Sequence, residues 1–180
     1  MITAELLLAY LLSAIAPVGI DAETSKIDTE QAYCLAKNIY YEARSESVQG
    51  QYAVAHVTLN RANDSRFPST ICDVVKQTSI DRESKKVTCQ FSWYCENDRK
   101  GKDILVKNKD GSINQKIADQ FQTASAIAIA VLNGDVKDNT NGATHFHNPN
   151  VAQPDWTTRL RKTKSIGNHD FYKLPSRKTD

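Results

Sequence analysis

Apolar positions recur every three or four residues over three long stretches of the chain, each bounded by a start or stop signal. In TEQAYCLAKNIYYEA the run follows Asp28, and Asp28-x-x-Gln31 is a capping-box pattern, so a helix is expected to open there. Ser45 to Gln49 is expected to break it, and VQGQYAVAHVTLNRA (48–62) predicts a second helix with an Ala- and Val-rich buried face. Asn63 to Pro68 reads as a turn and Ser69 to Gln77 as a short third helix. Asn114 to Leu132 aligns Ile117, Phe121, Ala124, Ala128 and Val131 on one stripe, with Gly134 as a stop. Residues 78–88 and 96–113 read as polar loops around an extended CQFSWYC (89–95). ATHFHN (143–148) predicts a strand, and Gly167-Asn168 sits where a two-residue hairpin turn would fall between Ile166 and Tyr172. Together these elements predict an α+β chain, mainly helical, with a small antiparallel β element in its C-terminal half.

One position breaks the helical pattern. Leu35, Ile39, Glu42 and Glu46 follow at spacings of four, three and four, so a carboxylate falls in line with the apolar stripe. A helix built only for packing would carry Leu or Ala there. An acid held against apolar side chains has its charged form disfavoured and keeps its proton at higher pH, which suits a general acid. Glu46 lies four residues on, about 6 Å along the axis, but on the same side of the helix. Two carboxyls on one face cannot flank a reacting bond from opposite sides, so Glu46 is expected to orient a cleft or bond backbone instead.

Composition bounds the rest. At 180 residues with 40% hydrophobic and 24% charged content, the chain suits one globular domain. The net charge is only +2, but residues 99–109 and 159–178 hold a large share of the Lys and Arg and read as solvated segments or as attraction to a polyanion. No nucleic-acid-binding motif is present. Leu6 to Ile20 is an apolar run of fifteen, short for a membrane span; it reads as a secretory core lacking a basic leader, or as a helix making transient membrane contact. Cys34, Cys72, Cys89 and Cys95 admit three pairings. Cys89 and Cys95 can close a small loop, Cys34 and Cys72 can cross-link two helices, and four thiols are the alternative. Two disulfides would imply an oxidising compartment.

Seven stretches carry a resemblance in fixed order: NIYYEAR-SE, VQGQYAVAHVTLNR, RFPSTICDVV, CQFSW, GATHFHNP, Trp156 and IGNHDFYK. Over roughly residues 30–173 the chain resembles the SleB-type cell-wall hydrolases, which include spore-cortex-lytic enzymes. The resemblance implies a lysozyme-like, lytic-transglycosylase-like domain over 28–174, after an apolar segment (1–27) and before a basic tail (175–180). It implies cleavage of peptidoglycan glycan strands between muramic acid and glucosamine, with Glu42 as general acid and base. The 6-hydroxyl of muramic acid would attack, so one carboxyl suffices. Glu46, Gln90, Phe91, Ser92, Trp93, Thr144, His145, Phe146, His147 and Trp156 are the expected substrate-binding residues. No metal or cofactor is expected, the partner is the peptidoglycan polymer, and the chain is expected to act as a monomer. Its place would be the periplasm or wall, or a virion or lysing host if phage-encoded. Two positions depart from the family's usual residues: Ser45 stands for Gly and Phe146 for Tyr.

Two rival readings remain. His145-x-His147 has the spacing of metal ligands on one strand face, which would suit a zinc amidase or endopeptidase, though no H-E-x-x-H partner motif exists. A non-catalytic wall-binding module would keep the fold but leave Glu42 without purpose.

Overall fold

The computed structural model describes residues 27–96, 104 and 108–176. The apolar run Leu6–Ile20, most of the basic run 99–109 and the last residues of the basic tail lie outside the described residues. In chain order the elements are α1 (Thr29–Ala43), α2 (Val48–Ala62), α3 (Ile71–Lys76), β1 (Thr78–Ile80), β2 (Val87–Cys89), α4 (Ser92–Glu96) and α5 (Gln115–Leu132). There follow β3 (His145–His147), a 3-10 turn (Asp155–Thr158), β4 (Arg161–Ile166) and β5 (His169–Lys173). No described helix is long and apolar enough to cross a membrane.

Four helices begin on a side chain that takes up orphan backbone N–H groups. Asp28 accepts from the N–H of Glu30 and Gln31, Ser47 from Gly50, Thr70 from Asp73, and Asn114 from Ile117. The expected capping box forms only by half. The Gln31 side chain does not return to the cap but accepts from the Cys72 N–H at 3.0 Å, tying α1 to α3.

The main core gathers Leu35, Ile39 and Tyr40 of α1, Ile71, Val74 and Val75 of α3, and Phe121, Ala124, Ala128 and Val131 of α5. α1 is the central helix: Ala32, Leu35, Ala36 and Ile39 have no exposed surface. Two disulfides frame this core, Cys34–Cys72 between α1 and α3 and Cys89–Cys95 across the start of α4.

CQFSWYC is not extended. Ser92–Glu96 is a helix, and Trp93 turns inward at 4% exposure. The six-residue Cys89–Cys95 bridge closes the chain on itself too tightly for an extended run. Trp93 stacks on Tyr41 at 4.6 Å and donates its indole N–H to Asn38 Oδ1 at 2.9 Å. Asn38 donates in turn to Thr58 Oγ1 at 2.9 Å, and Thr58 to the Val54 carbonyl. This chain of bonds among buried side chains fixes α4 against α1 and α2. Asn38→Ala is therefore expected to cost on the order of 2–3 kcal/mol in chemical denaturation, because it leaves the indole N–H buried and unpaired.

The polar loop expected at 78–88 contains a short antiparallel hairpin, Thr78–Ile80 paired with Val87–Cys89. In the C-terminal half the sheet order is β3-β5-β4, all antiparallel, with the β4–β5 turn at Gly167-Asn168 as expected. A second small core of Ala53, Val57, Ala143 and Phe171 seats this sheet against α2.

Candidate active site

Glu42 occupies the last turn of α1 and is half-buried. Burial pushes its pKa up to about 7; the Arg61 cation opposes the rise and the Glu96 carboxylate at the end of α4 adds to it. Part of the side chain still meets solvent, so the proton is exchangeable. Near neutral pH the group is thus poised between acid and base.

Arg61 was not among the expected residues, yet it carries the same signal as Glu42. Val54, Val57 and Arg61 follow at three and four on the buried face of α2, so a cation falls on an apolar stripe. It is 5% exposed. The guanidinium lies 5.4 Å from the Phe67 ring centre and 5.2 Å from that of Phe91. Its Nε donates to the Thr144 carbonyl at 2.6 Å, and one terminal nitrogen has no partner among protein atoms. Burial lowers its pKa to about 10, Glu42 opposing, so it stays a cation at neutral pH. Glu96 was also missed; it stood at the edge of a stretch read as loop.

The sheet wall is held to α2 by these bonds. Besides Arg61, Asn60 donates to the Ala143 carbonyl at 3.0 Å; within the sheet, the Thr144 N–H donates to the Tyr172 carbonyl. His145 is half-buried between Phe67 at 6.0 Å and Trp156 at 5.4 Å, with Nδ1 3.0 Å from Thr144 Oγ1. Burial, with Arg61 and Arg66 nearby, lowers its pKa to about 4, so the imidazole is neutral at physiological pH. Trp156 also meets His147 at 5.5 Å and Tyr172 at 5.3 Å.

The expected substrate-binding residues divide. Gln90 and Ser92 are exposed, and His145, Phe146 and Trp156 are half-buried. Phe91, Trp93, Thr144 and His147 are buried and already engaged by protein groups. Phe91 and Trp93 both belong to the main core. Phe146 packs edge-on to His169 at 5.2 Å and near Phe171 at 5.9 Å, so the ring at this position faces other aromatics. Ser45 needs no glycine-like backbone, since the non-glycine residues at positive φ among those described are Lys85 and Asn141.

Glu46 has both carboxylate oxygens occupied: the Asn168 N–H donates to Oε2 at 3.1 Å and its side-chain amide to Oε1 at 2.9 Å. Burial raises its pKa, but the two Asn168 bonds and His169 outweigh that and hold it below the ordinary carboxylate value.

The zinc reading finds little support. His147 Nδ1 bonds the Ala152 carbonyl at 2.9 Å and Nε2 the Tyr172 hydroxyl at 3.2 Å, which leaves no lone pair free. Among the described residues no three His, Cys, Asp or Glu side chains gather as a metal site. A cavity of about 420 Å³ opens beside Ile27, Leu59 and Leu132, at the far end of α1 from Glu42, and is lined by none of the expected residues.

Comparison with known proteins agrees with this architecture. The chain is 29% identical over 137 residues to a spore cortex-lytic enzyme of Halalkalibacterium halodurans, covering 76% of this chain and 33% of that protein. It is 28% identical over 156 residues to the spore cortex-lytic enzyme of Oceanobacillus iheyensis, covering 83% and 46%. The chain thus spans less than half the length of these relatives. Among solved structures, the catalytic domain of the germination-specific lytic transglycosylase SleB from Bacillus anthracis superposes with a TM-score of 0.57 at 27% identity, over 86% of this chain and 100% of that one. The catalytic domain of the Bacillus cereus SleB protein gives 0.54 at 26% identity, over 86% and 99%. The mainly helical fold with small antiparallel sheets is the one these lysozyme-like domains share. The sequence profile of the cell wall hydrolases matches residues 45–172, starting just after Glu42 and spanning well over half the chain. By that match the chain belongs to the cell wall hydrolase family.

Proposed function

We propose that this protein cleaves the glycan strands of peptidoglycan as a lytic transglycosylase, with Glu42 as its acid and base. The observation that carries the reading is a half-buried carboxyl, its pKa pushed up to about 7, on the helix that leads directly into the matched cell wall hydrolase residues. Protonated Glu42 donates its proton to the glycosidic oxygen between muramic acid and glucosamine as the C1–O bond breaks. The glucosamine-ended strand leaves as the alcohol. Glu42, now a carboxylate, takes the proton of the muramic acid 6-hydroxyl as that oxygen bonds to C1, giving a 1,6-anhydro ring. No water is consumed and Glu42 ends protonated as it began.

Arg61 would steady the carboxylate between the two steps, its charge fixed by the Thr144 carbonyl and two aromatic rings. A single carboxyl suits the site because Glu46 is tied to Asn168 and not free to act as nucleophile. Both spore cortex-lytic relatives and SleB domains favour the same substrate class. The two disulfides favour an oxidising place of work, in or beyond the periplasm, against the wall. The expected result of mass spectrometry on fragments released from purified sacculi is a set of muropeptides ending in anhydro-muramic acid. Reducing ends would assign water as the acceptor instead, and released peptide stems with intact glycan would overturn the reading.

A further inference from the structure

Glu46 follows the proposed acid by one helical turn, but its chain has left α1. It sits in the short link between α1 and α2, with its own N–H donating to the Ala43 carbonyl at 2.9 Å and its carbonyl accepting from Gln51 Nε2 at 3.2 Å. The side chain then reaches 122 residues along the sequence to the tip of the β4–β5 hairpin. Two glycines make room for it. At Gly50 an added Cβ would stand 3.0 Å from Glu46 Cβ, and at Gly167, which has φ +59°, an added Cβ would collide with Oε2. The occupied carboxylate therefore joins the corner that ends α1 to the strand that pairs with Thr144–His147 through β3.

We propose that Glu46 is a positioning residue: its paired bonds to Asn168 fix the β3-β5-β4 sheet at a set distance from the last turn of α1. The proposal rests on the glycan-cleaving reading of the same site. A sugar held by the sheet side and protonated from the helix side is sensitive to that distance. A misplacement of about 1 Å at a reacting pair costs on the order of 100-fold in rate. Binding to the exposed parts of the wall suffers less, because each side stays folded on its own supports: Arg61 and Asn60 for the sheet, the main core for α1.

The test compares Glu46→Ala, Asn168→Ala, the double variant and Glu46→Gln in the full chain, on solubilised glycan strands. The expected result is a fall in kcat of roughly 10-fold to 100-fold for each alanine variant, with KM changed less than about twofold. The double variant is expected to be no slower than Glu46→Ala, since both substitutions break one clamp. Glu46→Gln keeps one acceptor and is expected to fall between. If Asn168→Ala keeps parental kcat while Glu46→Ala loses it, or if KM rises with kcat unchanged, Glu46 acts on substrate and the proposal is overturned. Parental kcat in Glu46→Ala overturns it as well. Should Glu46→Ala fail to fold, Asn168→Ala and Glu46→Gln carry the same comparison. Failure of the glycan-cleaving reading shows separately, as a parental chain that releases no glycan fragments. The 46–168 coupling then still reads out in the thermal unfolding of the four variants.

Discussion

Replacing Glu42 by Gln is expected to reduce glycan cleavage by about 10²–10⁴-fold and, at pH 8, to make the protein more stable. The two effects have one cause. The carboxyl is held at about 7 against an ordinary value of 4.5 because burial disfavours its charge. Below about pH 4.5 both folded and unfolded chains hold this proton, and the group's contribution to stability is fully present. As pH rises toward 7 the unfolded chain releases the proton and the folded chain keeps it, so stability falls through that window. Above it, the folded protein carries an ionised acid where an uncharged amide would sit at less cost. The difference is on the order of 3 kcal/mol at most, and Arg61, left without its opposite charge, offsets part of it. Unfolding temperatures of the parent and Glu42→Gln at pH 4 and pH 8 check this: the gain is expected at pH 8 and absent at pH 4. Activity of the parent is expected to decline as pH rises through about 7, since the acid must be protonated to act. A Glu42→Gln variant that clears sacculi at the parental rate would remove Glu42 from the mechanism.

Removing the Cys34–Cys72 bridge is expected to be the most destabilising change in the core. It closes a loop of 38 residues and joins the central helix to α3. Chain entropy alone assigns about 4 kcal/mol to a loop of that length, against about 2 kcal/mol for the six-residue Cys89–Cys95 loop. For a chain of this size the larger figure corresponds to roughly 8–16 °C in unfolding temperature. Cys34→Ala/Cys72→Ala and Cys89→Ala/Cys95→Ala, compared by thermal and denaturant unfolding, are expected to rank in that order. Equal losses in the two pairs would show that local packing, not loop length, sets the effect.

What the sequence made legible was whatever its local chemistry decides. Asp28 and Asn114 each combine a capping side chain with a following periodic run, and helices begin at both; Ser47 and Thr70, read as part of a break and as part of a helix, cap α2 and α3. Gly167-Asn168 marks a turn that only permissive residues form readily, and the hairpin is there. CQFSWYC misled because alternating aromatics have strand character, whereas the outcome was set by a disulfide and by Asn38, 55 residues upstream of Trp93. The β1–β2 hairpin was hidden because Thr78, Ser79 and Ile80 are all exposed and show no alternation to read. At the site, Glu42 stood out as a charge on an apolar stripe. Arg61 obeys the same rule one helix later, but a long cation at a helix end can as well reach solvent, so its burial is decided by Phe67, and by Phe91 and Thr144 from distant stretches. The clamp between Glu46 and Asn168 could not be read locally, since 122 residues separate its halves.

Cys34, Asn38 and Glu42 recur every fourth residue along a single line of α1. The first is covalently tied to α3, the second is bonded to Trp93 and Thr58, and the third feels Arg61 and Glu96. Greasy contacts alone would tolerate a helix that slid or rotated by one residue. A sulfur bridge eight residues ahead of Glu42 and a hydrogen-bonded amide four residues ahead of it do not. They index the helix like pins in a lock, so warming or mild denaturant should leave the Glu42 carboxyl held in place until the whole domain gives way.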